Sequence, residues 1–178
     1  MTFNTLVFLV TLIGMEGFAY VAHRYVMHGW GWEWHRSHHE PRTGWFEKND
    51  LYAVVFASLA IALIAFGTQG AHPLEWIGAG MTAYGFLYFL AHDGLVHKRW
   101  PLKYIPRTGY LKRLYQAHLM HHAVQDKDRC VSFGFLYAPS IIHLRSQLRR
   151  MHEGPLRKHT GDVSREFPDE PANDGPGK

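Results

Sequence analysis

Residues 3–39 read FNTLVFLVTLIGMEGFAYVAHRYVMHGWGWEWHRSHH, an apolar run that passes directly into a histidine-dense segment. From Phe3 to Val21 the polar interruptions are Asn4, Thr5, Thr11 and Glu16. As a helix this run covers roughly 29 Å, close to the hydrocarbon thickness of a bilayer. Two more such runs follow, Leu51 to Gly67 broken only by Ser58, and Trp76 to Ala91 broken only by Thr82. Three apolar helices in a chain of 178 residues are hard to bury in water. The prediction is an all-α integral membrane protein with three transmembrane helices and a histidine-rich helical cap; the competing fold is a soluble helical bundle. The first run lacks the basic leader and small-residue cleavage site of a signal peptide. A fourth apolar stretch, Val131 to Leu144, is short and interrupted by Pro139, and is expected to be re-entrant, spanning, or packed over the cap. The domain is expected over 1–152, with a flexible tail over 153–178, where four prolines and four glycines sit among mixed charges.

Charge supplies the orientation. Residues 1–22 and the connection Thr68–Glu75 carry no lysine or arginine. All 19 basic residues lie in 23–50, 92–130 and beyond 144, on one side of a three-span arrangement. The positive-inside rule assigns that side to the cytoplasm, in a bacterial inner membrane, with the N-terminus outside. Trp30, Trp32, Trp34, Trp45 and Trp100 fall just past the span ends, the depth that amphipathic rings favour. The single cysteine, Cys130, excludes an internal disulfide and a cysteine-rich zinc module. With 47% apolar and 19% charged residues the chain is not a disordered polyelectrolyte, and nothing in it points to nucleic acid.

Ten of the fourteen histidines form a pattern written twice. His23-x4-His28 is followed by His35-x2-His38-His39, and His92-x4-His97 by His118-x2-His121-His122. The copies follow the first and third runs, so the topology delivers both to one membrane face. Neutral imidazole suits iron, zinc, copper or nickel, whereas magnesium and calcium prefer oxygen. Positions i, i+3 and i+4 share a helix face, so His35, His38 and His39 can converge, as can His118, His121 and His122. Leu111, Leu114 and Tyr115 continue the second stripe and turn it inward. Positions i and i+5 sit about 140° apart on an α-helix. Either His23 and His28 serve different metals, as would His92 and His97, or the helix breaks between them; Gly94 favours a break. Ten imidazoles exceed the needs of one ion and suit two metals a few ångströms apart. A haem would leave eight of them unused, and a proton relay would need a chain through the bilayer. His72, His143, His152 and His159 stand outside the pattern and read as ordinary histidines.

Two carboxylates accompany the histidines. Glu16 lies seven residues before His23, on the same face and about two turns deeper. It is a candidate hydrogen-bond partner behind the ligands, with a helix-packing carboxylate as the alternative. Asp93 is placed to orient a neighbouring imidazole. Asp50, preceding Leu51, reads as a helix N-cap. No G-x-G-x-x-G turn or flavin site is present, so electrons must come from outside.

Read in order, AHRYVMHGW, GWEWH, HHEPR, FEKNDL, HDGLVH, RWP, GYLKRLYQAH, HH and CVSFGF resemble the bacterial β-carotene 3-hydroxylase family, within the membrane-bound fatty acid hydroxylase/sterol desaturase superfamily. The resemblance covers about residues 15–137, with every histidine box intact. It implies hydroxylation of β-carotene and related carotenoids at C3 of each β-ionone ring, through β-cryptoxanthin to zeaxanthin. It also implies two iron ions on the ten box histidines (zinc substituting in purified material), O2 as co-substrate, and electrons from ferredoxin or a similar carrier. The alternatives are a sterol or fatty acyl hydroxylase or desaturase of the same superfamily and, in a different class, a membrane metal-binding or transport protein. The latter would distribute its ligands along a path across the spans, and these ligands gather at one end.

Overall fold

The computed structural model describes residues 2–100 and 104–151. The expected tail, with His152 and His159, lies outside the described residues. Within them the chain is helical, without strands: α1 (Phe3–Val21), α2 (Trp32–His39), α3 (Asp50–Thr68), α4 (His72–Tyr88), α5 (Gly109–His122) and α6 (Ile141–Met151). Two of these helices run on in a wider coil. α1 continues as a π-helix over Ala22–Trp30, and α4 as a π-helix over Phe89–Val96.

α1, α3 and α4 form the apolar layer, with α4 packed against both others. Its GAG sequence makes that possible. A Cβ at Gly78 would lie 2.7 Å from the Ala60 carbonyl oxygen and 2.8 Å from Ile64 Cγ1, on α3. One at Gly80 would lie 2.8 Å from Thr11 Cβ and 2.9 Å from the Phe8 carbonyl oxygen, on α1. Small residues on two faces let three backbones approach closely, as membrane helices do. The α3–α4 turn is tight, spanning 69–71, and Gly70 takes φ +118°, a conformation open to glycine. Pro73 opens α4, where its missing N–H costs nothing.

Two helices are long and apolar enough to cross a membrane, Phe3–Trp30 and Asp50–Thr68. α4, the third expected span, is 17 residues long. The outward faces remain uncovered: α1 buries no residue, and Ile13 of α1 (74% exposed) and Phe66 of α3 (63%) stand exposed. Such a surface is unfavourable in water and matched to lipid.

One local expectation is narrowed and two are corrected: of the alternatives for 131–144, packing over the cap is the one the structure takes. The stretch 131–144 neither spans nor re-enters as a helix. Residues 131–140 run irregularly over the histidine helices with Val131, Phe133 and Phe135 buried, and α6 begins at Ile141. Asp50 is not the N-cap of α3. Asn49 occupies that position, and the Asp50 carboxylate accepts the Glu47 N–H at 3.0 Å and pairs with Arg99 at 2.7 Å. On α5, Leu114 and Tyr115 are buried but Leu111 is 48% exposed, so the inward stripe begins only after the first turn.

Gly78→Val places a branched side chain against the α3 backbone. The expected result is a destabilisation of about 1–3 kcal/mol, read as a lowered thermal midpoint of the detergent-solubilised protein. Gly85→Ala, where a Cβ meets nothing within 4 Å, leaves the midpoint unchanged.

Candidate metal centre

All ten box histidines converge, and nine of them are buried, with His97 partly so. They form two sets. Side-chain nitrogens of His23, His28, His35 and His121 lie within 4.8 Å of one another, as do those of His38, His97, His118 and His122. His39 joins the first set, its Nε2 3.3 Å from that of His35, and His92 joins the second, its Nε2 3.0 Å from that of His38.

The π-helices explain the i, i+5 pairs. Their hydrogen bonds run from residue i+5 to i, as from the His97 N–H to the His92 carbonyl at 2.9 Å and from the Gly31 N–H to the Val26 carbonyl at 2.8 Å. Residues five apart are thereby stacked over one another. His23 and His28 reach the same set, with ring centroids 5.1 Å apart, and His92 and His97 reach the other at 4.5 Å. No break between the paired histidines is needed. The helix departs from helical angles only beyond His28, at Gly29 (φ −104°, ψ −121°), where the chain turns into α2.

The HxxHH boxes share a face but do not serve one site, which corrects the simple convergence expected from spacing. On an α-helix residue i+4 lies about 40° from i on one side, and i+3 about 60° on the other. His35 and His39 therefore enter the first set while His38 crosses to the second. His118 and His122 enter the second set while His121 crosses to the first. Each set takes four rings from one sequence copy and one from the other.

Behind the rings, seven Nδ1 atoms donate to fixed oxygens. His23 donates to the Phe133 carbonyl (2.9 Å), His28 to Lys127 (2.8 Å), His39 to Val124 (3.0 Å) and His121 to Val131 (2.9 Å). His35 donates to Asn49 Oδ1 (2.7 Å), His38 to Glu47 Oε2 (3.0 Å) and His92 to Asp93 Oδ1 (2.7 Å). A ring that donates from Nδ1 presents a bare lone pair at Nε2. Four Nε2 pairs then face each other lone pair to lone pair: His23–His35 at 3.0 Å, His35–His39 at 3.3 Å, His28–His121 at 3.2 Å and His38–His92 at 3.0 Å. Neutral rings alone would repel at that distance. Nitrogens bonded at about 2.1 Å to one ion, at right angles, sit ~3.0 Å apart. The donor set thus fits two imidazole-ligated transition-metal ions.

Burial, reinforced by neighbouring imidazoles, holds His35, His38, His118, His121 and His122 well below the usual histidine range. Burial lowers His39 to about 4. The rings are neutral at physiological pH, the form that ligates metal.

Asp93 orients His92 as expected from its position. Glu16 does not touch a ligand. It accepts the N–H groups of Phe135, Leu136 and Tyr137 at 2.9–3.1 Å and the Tyr84 hydroxyl at 2.7 Å, so it binds the segment whose Phe133 carbonyl holds His23. Sequence reasoning passed over Glu47, Asn49 and Arg99. Arg99 spans Asp50 Oδ1 and Oδ2 at 2.7 Å each, reaches Asp93 Oδ2 at 3.4 Å and the Trp45 carbonyl at 3.2 Å, and so ties the loop before α3 to the second π-helix. The signal was the motif pair FEKNDL and RWP, whose charged residues complement one another.

The profile of the family described as Fatty acid hydroxylase matches residues 8–140. The chain belongs to that family. It is 68% identical over 149 residues to a beta-carotene hydroxylase of Pantoea ananas, covering 84% of this chain and 85% of that protein. It is 59% identical over 169 residues to one of Pseudescherichia vulneris, covering 95% and 94%. A chloroplastic beta-carotene 3-hydroxylase 1 of Arabidopsis thaliana is 43% identical over 134 residues, 73% of this chain and 43% of that protein. No solved structure matches the chain.

Two measurements test the centre. Glu47→Gln leaves the shape but weakens the acceptor behind His38, and is expected to cost about 10–100-fold in metal affinity by competition with a chelator. In the metal-free protein, histidines with lowered folded pKa values bind fewer protons than the unfolded chain once pH drops below their usual 6.5. Stability is therefore full above about 6.5 and falls progressively toward about 4, the value of His39. A thermal midpoint independent of pH across that window would refute the neutral-ring assignment.

Proposed function

We propose that this chain is a membrane-bound, O2-dependent carotenoid hydroxylase that adds hydroxyl groups at C3 of the β-ionone rings, converting β-carotene through β-cryptoxanthin to zeaxanthin. One observation carries the reading. Two five-histidine sets lie at the end of an apolar cavity of about 400 Å³, walled by Phe18 and Ala19 of α1, Phe56 and Ala57 of α3, and Met81 and Gly85 of α4. That volume takes one end of a long polyene and leaves the remainder among the helices and lipid. The names of the relatives point to the same substrate.

Iron at the two sets, the metal this reading assigns, supplies the reduction of O2 and the attack on an unactivated C–H bond. The overall change breaks the C3–H bond and forms a C3–O bond. The second oxygen atom leaves as water, with two protons and two electrons from an external carrier such as reduced ferredoxin. The protein's residues provide the rest. Nδ1 bonds aim seven of the ten neutral rings inward, the apolar walls exclude water, and the cavity holds one ring end in place, a contribution of positioning. A lipid-dissolved substrate can enter between helices, while the carrier docks at the aqueous face.

In this reading α4 is the third span and the cap and basic residues face the cytoplasm, in a bacterial inner membrane. Residues 1–152 are the hydroxylase domain. The family profile's description makes a fatty acyl chain the second reading for the substrate.

Expression in a bacterial host that accumulates β-carotene is expected to yield zeaxanthin, with the monohydroxylated intermediate first, because one site grips one ring at a time. The new oxygen carries label from 18O2. Unchanged β-carotene in aerated, iron-replete cells with a competent carrier would sink the carotenoid assignment. His38→Ala and His121→Ala, the two crossing ligands, are each expected to abolish product. For topology, impermeant thiol labelling of Gln69→Cys, with Cys130 replaced, succeeds from the periplasmic side and that of Lys48→Cys does not; the reverse pattern overturns the orientation.

A further inference from the structure

The cavity ends in two aromatic rings. Tyr88 and Phe135 line it, and they pack edge to face with centroids 4.6 Å apart. Behind this pair stand the metal-binding rings, one from each set. Phe135 stacks on His23 at 4.9 Å and 8°, and Tyr88 on His92 at 4.5 Å and 19°. The Tyr88 hydroxyl is 3.5 Å from His92 Nε2, the atom aimed at the metal. None of the ten histidines is among the cavity's lining residues. The aromatic pair is thus the protein surface that a ring in the cavity meets before it meets the metal centre.

Phe135 is held there from the far side. Glu16 Oε1 accepts its backbone N–H at 3.0 Å, and Tyr84, also on the cavity wall, donates to Oε2 at 2.7 Å. A Cβ at Gly134 would lie 2.7 Å from Glu16 Oε1, so glycine lets the backbone reach the carboxylate. A half-buried carboxylate that accepts from three successive N–H groups fixes the segment more firmly than packing alone.

We propose that Tyr88 and Phe135 form the wall against which the β-ionone ring is pressed, that this contact selects C3 over the neighbouring ring carbons, and that Glu16 is a positioning residue acting through Phe135. The inference rests on the carotenoid reading above. The physical reason is scale: adjacent ring carbons are separated by one bond length, and a displacement of about 1 Å at a reacting centre changes rate by about 10²-fold. Only a stiff surface touching the ring can discriminate at that distance. Phe18, Phe56 and Tyr84 also line the cavity, but Tyr88 and Phe135 are the lining rings that stack on box histidines, and so the stiff surface beside the centre.

The test uses the metal-loaded full chain in detergent, with Phe135→Leu, Tyr88→Leu and Glu16→Gln beside Ile13→Ala, an exposed position of α1 outside the cavity lining. Metal content is measured first, and product position is read by chromatography and mass spectrometry. The expected result is that Phe135→Leu and Tyr88→Leu keep wild-type metal content, place a detectable share of hydroxyl at C2 or C4, and consume several-fold more O2 per hydroxyl formed. Glu16→Gln shifts product the same way to a smaller extent, and Ile13→Ala makes only the C3 product. In metal-free protein, the visible absorption band of bound β-carotene moves for the two leucine variants relative to wild type. If either leucine variant loses metal, the other decides, since the wall is opened from opposite sides. Exclusive C3 product at wild-type coupling, with an unmoved band, overturns the proposal. Absence of C3 product from the wild-type protein would instead refute the carotenoid reading, so the two failures are distinguishable.

Discussion

Nδ1 donation to oxygens fixed elsewhere in the fold is the interaction on which the centre depends. Seven box imidazoles make such a bond, and each one decides a tautomer, a ring orientation and the direction of a lone pair. The acceptors come from the loop before α3, from the second π-helix, and from the irregular stretch 124–133. That stretch looks like a connection, yet it supplies four backbone carbonyls to four ligands. Its irregularity is functional, because a strand or helix would have spent those carbonyls on its own ladder. Glu16, from within α1, then anchors the continuation of the same stretch.

The crossing of His38 and His121 follows from helix geometry and has a structural consequence. Since i+3 and i+4 lie on opposite sides of i, an HxxHH box placed between two metals must feed both. Neither sequence copy can complete a set by itself, so the centre forms only when α2 and α5 dock. Metal binding is then coupled to tertiary assembly, and the energy of ligation becomes folding energy for the cap. This coupling matters most for α2, which buries only His35, His38 and His39, whereas α5 and α6 share an apolar cluster of their own.

The convergence of the ten histidines was legible because chemistry and topology agreed: imidazole is scarce, and its pattern recurred after two apolar runs. The partition into two sets was not legible, because it required the π-helical course of Ala22–Trp30 and Phe89–Val96. An i, i+5 spacing read on α-helical angles gives about 140° and misleads. The x4 gap between paired histidines was itself the sign of a π-helix, a conformation that concentrates at functional sites. Backbone acceptors such as Val124 and Lys127 leave no trace in side-chain identity. Glu47 and Asn49 were visible as residues but not as partners, since their distance from the rings in space depends on how the loop from Glu40 folds back. The same limit applied to 131–144, whose apolar character signalled burial without saying whether lipid or protein would cover it.

Placement of the centre at the end of the apolar layer reconciles two solvents. In the proposed reading the substrate dissolves only in hydrocarbon, whereas electrons and protons arrive through water. The fold gives each its own approach: the cavity among α1, α3 and α4 ends at Tyr88 and Phe135, which stack on His92 and His23, while Lys127, at the exposed surface, holds His28 through its carbonyl. The aromatic pair and the apolar walls keep water from the substrate side. On the other side, the distance from surface to ligand is one residue. A centre placed deeper in the bilayer would lose the short aqueous connection, and one placed farther out would lose the dry cavity. The α1 helix meets both demands by changing its winding at Ala22, so that its apolar span ends where its ligands begin.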